Sequence, residues 1–150
     1  MTVHGHPRGL AYDRKGRLVA TLGRAGLLVV VQPTYEVLVS SFKRQTLGYP
    51  NDVVADSKGG IYFTDPLNSL HSKFRPPPPN RKGMVFYVKP DGSVVSVIDD
   101  IESNGVILSP DEKILYTTDE PEVVVHFENG HPEHVVRPRV EQLDAVEARV

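Results

Sequence analysis

Runs rich in valine, isoleucine and leucine recur along the chain, each short and each closed by a segment carrying Gly, Pro, Asp or Asn. That pattern predicts β-strands joined by tight turns, and an all-β protein. Three segments line up as internal repeats. They are Pro7-Arg-Gly-Leu-Ala-Tyr-Asp-Arg-Lys-Gly-Arg-Leu-Val-Ala-Thr21, Pro50-Asn-Asp-Val-Val-Ala-Asp-Ser-Lys-Gly-Gly-Ile-Tyr-Phe-Thr64 and Ser103-Asn-Gly-Val-Ile-Leu-Ser-Pro-Asp-Glu-Lys-Ile-Leu-Tyr-Thr117. In register, Leu10, Val53 and Val106 match, as do Asp13, Asp56 and Ser109, then Leu18, Ile61 and Ile114, then Thr21, Thr64 and Thr117.

Each copy reads as strand, polar turn, strand, the turns being Asp13–Gly16, Asp56–Gly59 and Ser109–Glu112. Two further strand-like runs follow each copy. They are Leu27–Val31 and Glu36–Ser41, then Met84–Lys89 and Val94–Ile98, then Val123–Phe127 and His134–Arg137, the last two joined around Asn129-Gly130. Four strands per unit at a spacing of about 40–50 residues is the pattern of β-propeller blades. The expectation is therefore about three four-stranded blades, over residues 7–48, 49–101 and 102–140, with 141–150 as a linker towards a further blade. A single β-sandwich with chance similarity between its parts is the competing reading. Three blades do not close a ring and leave strand edges bare. The chain is thus expected to be part of a propeller, or to be completed by self-association or by a partner chain. The segment Pro66–Lys82, with Pro76-Pro-Pro-Pro79, cannot be a central strand. It reads either as a rim over the channel mouth or as a tolerated surface insertion.

Composition removes several classes of function. With a net charge of -2 and pI near 6.3, nothing points to nucleic acid or to an anionic membrane surface. The absence of cysteine excludes disulfides, zinc–thiolate sites and cysteine nucleophiles. No apolar run approaches the roughly 18 residues of a membrane helix, and the first residues carry no apolar signal region. The expected location is cytoplasmic. Neither a Gly-x-Ser-x-Gly elbow nor a phosphate-binding glycine loop is present.

The candidate chemistry sits at one equivalent place in the repeats, which holds Arg8, Asn51 and Asn104. Equivalent positions on the innermost strands of a propeller ring its channel, so the two asparagine carbonyls would converge and suit a hard cation such as calcium. The alternative is that each Asn only leads into a strand, as its backbone preferences allow. Arg8 is a candidate for binding anionic substrate oxygens, with a surface salt bridge as the blander choice. His4 and His6 make half a metal site or a frayed edge, and His131 and His134 flank a turn.

The stretch Pro50–Pro66, reading Pro-Asn-Asp-Val-Val-Ala-Asp-Ser-Lys-Gly-Gly-Ile-Tyr-Phe-Thr-Asp-Pro, resembles the hallmark segment of the gluconolactonase/senescence-marker-protein (regucalcin-like) family. Ser103–Asp119 is similar to that family's next such stretch, and the likeness runs over roughly residues 7–137. The resemblance implies a six-bladed propeller with one divalent cation, calcium, zinc or manganese, in its channel. It also implies a small-molecule sugar lactone as substrate, hydrolysed with metal assistance. By that likeness Asn104 is a metal ligand, and Asn51 lies beside the metal as a ligand or a substrate-positioning group. The family's early Glu and later-blade Asp ligands have no counterpart here, so cation binding is expected to be weak. Asp52 is expected to face away from Asn51, and Asp65 and Asp119 to cap second strands. A non-enzymatic propeller piece, acting as a binding or assembly module, is the alternative function.

Overall fold

The computed structural model describes residues 4–66, 82–119 and 122–127. Among these residues every regular element is a strand. The first blade is an antiparallel sheet of β1 (Pro7–Tyr12), β2 (Leu18–Leu22), β3 (Leu27–Gln32) and β4 (Glu36–Val39), in that order. A small hairpin, β5 (Ser41–Phe42) and β6 (Gln45–Thr46), leads to the second blade. That blade contains β7 (Val53–Ala55), β8 (Ile61–Asp65), β9 (Met84–Val88) and β10 (Val94–Asp99), with β7 innermost. The third blade shows β11 (Val106–Leu108), β12 (Ile114–Asp119) and β13 (Glu122–Phe127). The expected His134–Arg137 strand and 141–150 linker lie outside the described residues, as do His131, His134, the Asn129-Gly130 turn and residues 67–81 of the proline-rich loop. No helix of the described residues is long and apolar enough to cross a membrane.

The repeated turns form for a common reason. Gly16, Gly59 and Glu112 occupy the same position and all have positive φ, at 71°, 96° and 57°. Their N–H groups donate to the carbonyls of Asp13, Asp56 and Ser109 at 2.9, 3.3 and 2.8 Å. The side chain that opens each turn then bonds the chain where the next strand begins. Asp13 Oδ1 accepts the Arg17 N–H at 2.8 Å, and Asp56 Oδ1 accepts the equivalent Gly60 N–H at 2.7 Å. Ser109 Oγ accepts from Ile114, one residue further on, at 3.0 Å. The third blade is shifted to match: Val53 pairs with Phe63, whereas Val106 pairs with Thr117.

Strand alternation divides the apolar residues between two interfaces. Ile61, Phe63, Phe86 and Val88 face the first blade, where they bury Val19, Leu28, Val30, Val39 and Leu47. Their neighbours Tyr62 and Val85 face the third blade and meet Ile98, Ile101, Val106 and Leu115. Phe86 stacks on Phe63 and takes Phe42 edge-on, each at 5.0 Å between ring centroids. β4 stops at Val39 instead of running on to Ser41, and Phe42 falls in the short hairpin that follows. The chain reverses through Lys43 and Arg44, and this swings the Phe42 ring onto the second blade.

Candidate functional site

β7 packs between β1 and β11, so the three innermost strands lie side by side and their leading residues share one end of the molecule. The approach is close at Gly9: a Cβ there would come within 2.7 Å of the Asp52 Cα. Asn51 and Asn104 stand two residues ahead of β7 and β11, outside any ladder, with Asn51 half-buried and Asn104 exposed. Their side chains meet across the blade boundary, where Asn51 Nδ2 donates to Asn104 Oδ1. The pair converges as donor and acceptor, rather than as the two carbonyls the sequence suggested. Asn104 Oδ1 has two lone pairs, of which this contact uses one.

The backbone of both asparagines is held by threonines. Asn51 N–H donates to the Thr64 carbonyl at 2.9 Å, and the Asn51 carbonyl accepts from Thr21 Oγ1. Asn104 N–H donates to Thr118 Oγ1 at 3.2 Å, and its carbonyl accepts from Thr64 Oγ1 at 3.1 Å. The in-register threonines of the sequence thus reach from one blade to the next. Their recurrence was visible in the repeats, but the bond they make depends on which strand packs beside them.

Arg8 meets an aromatic ring. Its guanidinium carbon lies 5.4 Å from the Tyr49 ring centroid, in cation–π geometry. Tyr49 is buried, and its hydroxyl lies 3.2 Å from His6 Nδ1. Sequence reasoning missed Tyr49, whose only signal is its place just before the Pro50-Asn51 motif. The nearby acids serve the backbone. Asp52 accepts the Val53 and Val106 N–H groups at 2.9 and 3.0 Å, so its carboxylate reaches the same third-blade segment that the Asn51 side chain touches. Asp65 is fully buried and accepts the N–H groups of Gly48 and Tyr49 at 2.9 and 2.6 Å, which anchors the approach to Asn51. The Asp119 side chain and Glu120 lie outside the described residues. Among the described residues no three His, Cys, Asp or Glu side chains gather as a metal site. Among the described residues the oxygens brought together at this point are the side-chain amides of Asn51 and Asn104.

Several known proteins are similar to this chain. Lactonase drp35 of Staphylococcus haemolyticus is 51% identical over 71 residues, which is 46% of this chain and 19% of that protein. The Staphylococcus saprophyticus lactonase drp35 is 48% identical over the same length and shares. A gluconolactonase structure from Xanthomonas campestris superposes with a TM-score of 0.78 at 28% identity, covering 89% of this chain and 48% of that one. A luciferin-regenerating enzyme, at 17% identity and a TM-score of 0.66, shares the fold over 91% of this chain and 48% of its own. The chain therefore spans 19% of the curated lactonases it matches and about half of the gluconolactonase structure. The SMP-30/gluconolactonase/LRE-like region matches residues 2–138, and the chain belongs to that family.

Proposed function

We propose that the Asn51–Asn104 pair belongs to a site that hydrolyses a sugar lactone with the help of a divalent cation. The observation that carries this reading is the side-chain contact between two equivalent positions on successive blades. Membership of a gluconolactonase family and similarity to lactonases supply the reaction class. In that reaction water adds to the ring carbonyl, the acyl–oxygen bond breaks, and the ring oxygen leaves as a hydroxyl of the product acid.

The donor chemistry fits a hard cation in kind. Amide oxygens suit calcium, which takes about six to eight oxygens, so this pair would supply a minority of the shell and binding would be weak. Calcium, zinc or manganese, when bound, would polarise the lactone carbonyl. Asn104 would hold the ion through Oδ1. Asn51 would fix the Asn104 amide through its NH2 group while its own Oδ1 orients a substrate hydroxyl or the attacking water. Arg8, held over the Tyr49 ring at the same end of the strands, would attract anionic oxygens of substrate or product.

Hydrolysis of an aldonic lactone by the purified chain tests this reading. Turnover should vanish in EDTA, return with calcium, zinc or manganese, and fall at least about a hundredfold in Asn104→Ala, as removal of a group acting on the transition state does. Turnover that survives both EDTA and Asn104→Ala would sink the proposal. A second reading, a binding or assembly module, draws on the exposed Leu10, Tyr12 and Ile107 of the innermost strands. A folded chain that forms a dimer or binds lactone without turnover would favour it.

A further inference from the structure

The contact between Asn51 and Asn104 joins two residues that lie outside any strand ladder, so something else must fix their separation. Their backbones sit on different blades, and the segment 104–106 is gripped by the second blade at two points. On one side of Gly105, Thr64 Oγ1 donates to the Asn104 carbonyl at 3.1 Å. On the other side, Asp52 Oδ2 accepts the Val106 N–H at 3.0 Å. The two arms are themselves linked, because the Asp52 N–H donates to Thr64 Oγ1 at 2.9 Å. Thr64 is fully buried, so its hydroxyl has no water to replace either partner. The same residue holds Asn51 as well, since the Thr64 carbonyl accepts the Asn51 N–H at 2.9 Å. One residue of β8 therefore touches the backbone of both asparagines.

We propose that Thr64, with the Asp52 carboxylate, is the positioning unit that sets the Asn51–Asn104 amide contact. Neither residue touches substrate in this account; both act through the asparagines. The proposal deepens the lactonase reading in one respect only. If Asn104 holds the cation, then the clasp also sets cation affinity.

Side-chain amide resonances give a test that needs no bound ion. In the 15N-labelled chain, one Asn51 Nδ2 proton, identified by its disappearance in Asn51→Asp, should lie at the hydrogen-bonded position. In Thr64→Val, which keeps the shape and removes the hydroxyl, that proton should move to the free-amide position. Its exchange with solvent should rise about tenfold, the factor associated with one such bond. Thr64→Ser should restore both. Phe63→Leu, a core change on the same strand, should lower the melting temperature and leave the resonance in place. If Thr64→Val does not fold, Asp52→Ala removes the other arm at a half-buried site and should give the same shift. An unchanged Asn51 resonance in Thr64→Val, or an equal change in Phe63→Leu, would overturn the positioning role. Titration with Mn2+ separates this role from the proposed function. Wild-type affinity in Asn104→Ala would refute the cation reading and leave the clasp to stand on the resonances. A loss in Asn104→Ala without a loss in Thr64→Val would refute the clasp's part in cation binding.

Discussion

Asp13, Asp56 and Ser109 occupy one position in three repeats, and their different chemistry shows how a single side chain shapes a turn. Burial pushes the Asp13 carboxyl up, but the Arg17 backbone N–H and guanidinium and the Lys15 N–H outweigh it and hold its pKa below the ordinary 3.8. A carboxylate depressed in the folded state stabilises the protein above its unfolded-chain pKa, and that contribution is lost as pH falls through the lower, folded value. Asp13→Asn should therefore cost about 1–2 kcal/mol at neutral pH. Below pH 3.8 the wild-type melting temperature should converge on that of the variant; parallel curves would show that the carboxylate is not involved. At this scale the repeats made the turns legible, because Asp-x-x-Gly chemistry is local. The one-residue register shift after Ser109 was not legible, because the three repeats align across this turn without a gap.

Among the elements, the strands of the first two blades fall close to where the short apolar runs and the repeated turns placed them. The β5–β6 hairpin did not announce itself. Its two central residues, Lys43 and Arg44, have φ of 47° and 65°, and neither is the Gly or Asn that normally marks such a turn. The double substitution Lys43→Asn with Arg44→Gly supplies that turn chemistry. It should relieve left-handed strain and stabilise the chain by about 1 kcal/mol. An unchanged denaturation midpoint would mean that the Lys43 contact with the Phe42 ring, at 5.2 Å, offsets the strain. The opposite effect is expected at Gly9, where a methyl group would press on the Asp52 Cα and the Asn51 carbonyl. Gly9→Ala should destabilise by about 1–3 kcal/mol through overpacking, and it should also disturb the asparagine contact. A variant as stable as wild type would mean that β1 and β7 are less tightly apposed than described.

At the scale of the whole molecule, blade packing turns a repeated sequence position into a shared site. The sequence disclosed the equivalence of Arg8, Asn51 and Asn104, because repeats align without any knowledge of packing. It did not disclose that Arg8 would lie over Tyr49, nor that the two asparagines would meet as donor and acceptor. Both depend on the angle between blades, which the Phe63–Phe86–Phe42 cluster on one side and the Tyr62 and Val106 cluster on the other combine to set. The function proposed here and the clasp at Thr64 rest on the same claim, that two successive blades bring these side chains to one point. The absence of cysteine allows that claim to be tested directly. In Asn51→Cys/Asn104→Cys, a short thiol-bridging reagent such as dibromobimane should link the two positions within a single chain and become fluorescent. Asn104→Cys combined with Ser57→Cys, at the turn on the far end of β7, should not. Efficient bridging of the first pair in the monomer is the predicted result. No bridging, or bridging only between chains, would contradict the convergence on which the site depends.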